Sequence, residues 1–156
     1  MKPTHKTSTH ELLLVEIMRT SHLLHQPIGP VFKRFDLTQS QYNILRILRG
    51  AAPESLTAGT IKERMVNPKS DVTRLMDRLV AKGLISRQLK KDNRREMSIK
   101  ITKKGLNLLD KIGPELTAVL DQFQELIKDK TLTNTFLKYL DLIQEQSKQI
   151  INKLDE

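Results

Sequence analysis

Asn67-Pro68-Lys69-Ser70-Asp71-Val72-Thr73-Arg74-Leu75-Met76-Asp77-Arg78-Leu79-Val80-Ala81-Lys82-Gly83 reads as one helix with both of its ends marked. Asn67 is a capping residue, and Pro68 suits the first helical position, where its missing N–H costs nothing. Gly83 is the kind of residue that closes a helix in a left-handed turn. The spacing therefore predicts a helix from Pro68 to about Lys82. Val72, Leu75, Met76 and Leu79 recur at three- and four-residue steps and form its inner face. Lys69, Ser70, Thr73, Arg74, Asp77 and Arg78 are left on the other surfaces. Short polar side chains and an Arg on a first turn are what a helix needs to reach base edges and phosphates in a major groove.

The flanks extend the pattern in both directions. Upstream, Thr57 caps a short helix through about Arg64, with Ile61 and Met65 facing inward. Before it, Thr38 and Gln41 form a capping box ahead of Tyr42, Ile44, Leu45 and Leu48, which predicts a helix over about 39–49. Downstream, Leu84, Ile85 and Leu89 predict one strand. Met97, Ile99 and Ile101, alternating with polar residues, predict a second. The charged turn between them, Lys90 to Arg95, is a cationic hairpin tip. Thr102 caps a further helix carrying Leu106, Leu108, Leu109 and Ile112, with Gly113-Pro114 a kink point before it resumes from Leu116 to Ile127. Leu12, Leu13, Ile17, Leu23 and Leu24 place a first helix over about 9–25, interrupted or kinked at Pro27 and Pro30. A last helix from near Thr133 carries Phe136, Leu140, Ile143, Ile150 and Leu154 in a three-four alternation.

Charge points to the same region. The chain has 156 residues and a formal net charge of +9. Twelve Lys or Arg and four acids fall between Lys69 and Lys104, whereas five Lys and eight acids fall from Glu115 onward. A basic middle beside a mildly acidic tail is the electrostatic footprint of a nucleic-acid binder. The absence of Cys excludes disulfides and thiolate metal sites. There is no apolar run long enough to span a membrane and no signal-peptide pattern, so a cytoplasmic protein without a membrane partner is expected. His22 and His25 share a helix side but lack a third ligand, and no metal or other cofactor is expected. Phosphate loops, nucleophile elbows and HExxH pairs are missing, which weighs against an enzyme.

Three helices followed by a hairpin is the order of a winged helix-turn-helix, in which the second helix of the pair enters the major groove. Within that order, residues 37–106 resemble the MarR family of bacterial transcriptional regulators. The resemblance rests on Leu37-Thr38-Gln39-Ser40-Gln41-Tyr42, Lys69 to Leu79, Lys82-Gly83-Leu84-Ile85-Ser86-Arg87, and Asp92-Asn93-Arg94-Arg95 leading to Ile101-Thr102-Lys103-Lys104-Gly105. It implies a mainly α fold, a winged helix-turn-helix with a two-stranded β-hairpin wing and long terminal dimerisation helices. The implied division is 1–36 for an N-terminal dimerisation helix, 37–106 for the DNA-binding domain and 107–156 for C-terminal dimerisation helices.

The implied function is sequence-specific binding of double-stranded DNA at an inverted-repeat operator by a homodimer, as a repressor released by a small effector. The alternative is a non-specific, architectural nucleic-acid binder. The DNA-contacting positions carried over are Lys69, Ser70, Asp71, Thr73, Arg74 and Arg78 on the helix, and Arg94 and Arg95 on the wing. The family spacing puts the tip at Arg95, but the acid expected two residues before it is Asn93, and Asp92 instead precedes Arg94 by two. The family's effectors, small aromatic anions, point to Arg87 as an effector-binding position, with pairing to an acid or a phosphate as its competing role.

Overall fold

The computed structural model describes residues 8–67, 70–89 and 97–154. The chain divides into two compact units, Met1–Thr117 and Ala118–Glu156.

In the first unit, helix α1 spans Thr9–Arg34, and Ser8 caps it by accepting from the Glu11 N–H at 3.3 Å. It runs on through Pro27 and Pro30, where an interruption or a kink was expected. Each proline removes one ladder bond locally, but Val31 and Phe32 are both buried and hold the last turns against the core. The Phe32 ring stacks on Tyr42 with centroids 4.4 Å apart.

Helix α2 (Gln39–Ala51) starts at the expected capping box, with both reciprocal bonds formed between Thr38 and Gln41. It passes through Gly50, so that glycine does not end it. Helix α3 is Ala58–Arg64, capped by Thr57. Helix α4 is Val72–Ala81 and buries Val72, Met76 and Leu79. Its start lies four residues beyond the expected Pro68. Asp71 is the cap, accepting from the Arg74 N–H at 3.0 Å, while the Ser70 N–H turns back to the Asn67 carbonyl at 3.3 Å. Gly83, at φ 68°, closes the helix as expected.

Strands β1 (Ile85–Leu89) and β2 (Met97–Ile101) pair antiparallel, with Ile85 opposite Ile101 and Leu89 opposite Met97. Leu56, just before the cap of α3, exchanges both backbone hydrogen bonds with Ile99 and so adds a one-residue edge to this sheet. Helix α5 (Lys103–Leu120) begins where the Thr102 hydroxyl accepts from the Gly105 N–H at 3.1 Å, and it continues through Pro114. Gly105 is required by a close approach. A Cβ there would run into the Leu84 carbonyl and lie 2.8 Å from Ile101.

In the second unit the helix does not resume as an α-helix to Ile127; Asp121–Ile127 is a 3₁₀ segment. Helix α6 then spans Lys130–Leu154. It starts three residues earlier than expected, because the Asp129 carboxylate accepts from the Leu132 N–H at 2.9 Å and caps it. Among the described residues no helix is long and apolar enough to cross a membrane.

Candidate nucleic-acid interface

The candidate reading helix is α4, and its orientation follows from its apolar stripe. Burying Val72, Met76 and Leu79 turns Asp71, Thr73, Arg74 and Arg78 outward, where all four are exposed. Ser70, just before the cap, is half-buried. A cleft of about 370 Å³ brings Ser70, Asp71, Arg74 and Arg78 together with Thr38 and Ser40. Thr38 and Ser40 stand at the start of α2, whose first N–H groups have no carbonyl behind them within the helix. Two helix N-termini and two guanidinium groups therefore converge on one exposed surface, an arrangement suited to anionic oxygens.

The individual side chains have different freedoms. Asp71 is occupied as the cap of α4, so its carboxylate orders the first turn. Among the described residues, neither the Arg78 nor the Arg74 guanidinium makes a hydrogen bond or ion pair. Both are available to phosphates or base edges. Lys69 on the helix approach and Arg94 and Arg95 on the wing lie outside the described residues.

Arg87 takes the acid-pairing role. Its guanidinium donates from Nη1 to Asp77 at 2.5 Å and from Nη2 to the Thr73 carbonyl at 3.3 Å. It thereby ties strand β1 to the outer face of α4. Its Nε is buried with no partner among the described residues.

Thr38 and Ser40 were missed as site residues. The capping box was legible, but a cap says nothing about which other helix it faces. His22 and His25 make local contacts on α1, His25 Nδ1 with the Ser21 carbonyl at 2.6 Å and His22 Nε2 with Gln26 at 3.3 Å. Among the described residues no cluster of three His, Cys, Asp or Glu could hold a metal ion.

A three-helix core with a β wing and an outward-turned, cationic second helix defines the winged helix-turn-helix class of DNA-binding proteins. The model of the MarR family matches residues 35–96. The chain is 27% identical over 105 residues to the HTH-type transcriptional regulator PecS of Dickeya dadantii, a match covering 67% of this chain and 63% of PecS. Among solved structures, the MarR transcription factor of Planctomyces limnophilus is similar at 29% identity with a TM-score of 0.65, over 88% of this chain and 98% of that one. The S. aureus MepR–DNA complex shares the fold at 20% identity and a TM-score of 0.72, over 88% and 98%. Residues 35–96 are thus similar to the MarR family, a family of transcriptional regulators.

Proposed function

We propose that the protein is a transcriptional repressor that binds an inverted-repeat operator as a homodimer and is released by a small aromatic anion. The observation that carries the DNA-binding part is the convergence of Ser70, Arg74 and Arg78 with the start of α2 in one exposed cleft. Arg74 and Thr73 lie on the first turn of α4, where a groove-inserted helix meets base edges. Arg94 and Arg95 serve as the cationic wing, reading phosphates and the minor-groove potential. Lys69 and Asp71 complete the helix approach, Asp71 by ordering the turn. A two-fold dimer presents two such helices to half-sites about one helical turn apart. Repression follows from occupying promoter DNA. For release, the unpartnered Arg87 Nε supports Arg87 as a contact for an anion. Such an anion would loosen the tie between β1 and α4.

The test compares affinities for an operator from adjacent intergenic DNA and for random DNA at one fixed salt concentration. Arg74→Ala is expected to weaken operator binding by about 1–3 kcal/mol more than random binding, the scale of a bidentate base contact. Arg94→Ala and Arg95→Ala are expected to weaken both alike and to lower the salt slope by about one unit per phosphate contact. Uniform coating of DNA in a footprint, with no preference lost in Arg74→Ala, would instead establish the architectural alternative.

A further inference from the structure

Helices α1 and α4 end in the same kind of turn. At the end of α1 the Asp36 N–H donates to the Lys33 carbonyl at 3.1 Å and the Leu37 N–H to the Phe32 carbonyl at 3.0 Å, with Asp36 left-handed at φ 53°. At the end of α4 the Gly83 N–H donates to the Val80 carbonyl at 2.8 Å and the Leu84 N–H to the Leu79 carbonyl at 2.9 Å, around the left-handed Gly83. This paired pattern satisfies two of the last carbonyls of a helix and leaves those after them open.

In both turns a lysine from another element fills the opening. Lys104 Nζ, on α5, donates to the Lys82 carbonyl at 2.7 Å. Beside it the Thr102 hydroxyl donates to the Gly83 carbonyl at 2.8 Å, and the Thr102 N–H to the Leu84 carbonyl at 3.0 Å. Three successive carbonyls after α4 are thus held by the start of α5. Lys82 reaches the other way, its Nζ donating to the Asp36 carbonyl and meeting the Asp36 carboxylate at 2.8 Å. Each ammonium sits at the negative end of a helix. The Asp36 carboxylate is 93% exposed and adds little of its own, so the carbonyl and the helix end hold Lys82.

The Lys82 link spans a gap. A second cleft, of about 550 Å³, opens between the end of α1, the start of α2 and the end of α4, and Asp36 and Lys82 both line it. Thr38 and Arg78 line this cleft as well as the DNA-facing one. Among the described residues no other hydrogen bond or ion pair joins the end of α1 to the end of α4.

We propose that Lys82 is a positioning residue for DNA binding: with Lys104 it clamps α4 between α1 and α5, and so sets the half-site separation that a dimer accepts. This rests on the dimeric DNA-binding reading above. Leu12, Leu13 and Leu24 on α1 are exposed and available to a second copy. The separation of the two α4 helices then depends on how firmly each is held to its own α1. A loosened clamp lets each α4 settle on its half-site independently and blunts the preference for one spacing. A purely stabilising contact would lower the melting temperature and leave that preference intact.

The experiment uses the full chain, an operator from adjacent intergenic DNA, and copies of it with the half-sites one base pair closer or further apart. Such a shift turns one half-site by about a tenth of a turn relative to the other. Wild-type binding should fall by about tenfold or more, the scale of one mismatched base pair. Lys82→Met should recover about threefold of that loss, the scale of one exposed charge contact, and leave binding to a single half-site unchanged. Lys82→Arg keeps a cationic donor and should behave as wild type. A second measurement needs no DNA. The chain has no Cys, so His22→Cys on α1 and Val80→Cys on α4, both exposed, can carry spin labels. With labelled chains diluted into unlabelled ones, the distance within one chain should be more broadly distributed in Lys82→Met than in its parent or in Lys82→Arg. Equal widths in all three overturn the proposal, as does a Lys82→Met variant that keeps the full spacing penalty. If the labels behave as expected but wild-type binding ignores spacing, the clamp stands and the inverted-repeat reading falls.

Discussion

The middle of the chain and its two ends use their apolar residues in opposite ways. All sixteen buried apolar side chains of the described residues lie between Val31 and Ile112. Helix α6 has 25 residues and no buried one. Its Phe136, Leu142, Ile150 and Leu154 are all at least half exposed, as are Leu12 and Leu14 at the other end on α1. Yet α6 is as amphipathic as α5, which does bury residues. Long helices draw most of their stability from packing an apolar face, not from propensity. Contiguous exposed apolar stripes on a protein surface normally mark an interface. The middle is therefore a self-sufficient fold, whereas the ends are built for a second surface, for which another copy of the chain is the simplest source.

The largest expected effect follows from that difference. In sedimentation at micromolar concentration the protein should be a dimer, because a helical interface of this length should bury more than about 2,000 Å². The double variant Phe136→Glu/Ile150→Glu places two charges in the stripe and should yield monomers. A wild-type monomer, or a double variant that stays dimeric, would break the comparison.

A smaller effect should come from the middle. Leu79 is fully buried on α4, and Leu79→Ala should cost about 2–5 kcal/mol by leaving a cavity. Leu142→Ala, at 65% exposure in the single chain, should alter mainly the concentration dependence of the melting temperature. Equal, concentration-independent losses in the two variants would show that α6 packs within its own chain.

The smallest effect concerns the cap shared by the two clefts. Thr38→Ala removes the side-chain acceptor for the Gln41 N–H and should lower stability by about 1 kcal/mol in denaturant titrations. Thr38→Ser keeps the acceptor and should be close to neutral. If both variants lose the same stability, the hydroxyl bond is not what orders the start of α2.

Much of this architecture was legible because it is local. The Thr38–Gln41 capping box, the Gly83 stop and the period-two strand of Met97, Ile99 and Ile101 are short-range signals that burial then reinforced. Boundaries failed where a nearby group outcompeted the one expected. Asp71 capped α4 in place of Asn67, and Asp129 capped α6 before Thr133. The prolines of α1 and α5 leave their helices unbroken for a different reason. Val31 and Phe32 beyond Pro27 and Pro30, and Ile112 before Pro114, are buried and hold the helices in place. The outward face of α4 was readable from its apolar spacing, but its meeting with Thr38 and Ser40 was not.

The sequence by itself determined the order of elements, the apolar face of each helix and the concentration of positive charge between Lys69 and Lys104, since all three depend on spacing along one chain. Only the tertiary structure decided which distant residues share a surface. It paired Arg87 with Asp77, added Leu56 to the edge of the wing sheet, and set Gln41 and Lys33 beside Arg78. Those juxtapositions depend on how the helices pack across the core, and packing is chosen by the joint burial of side chains far apart in sequence, which no local pattern records.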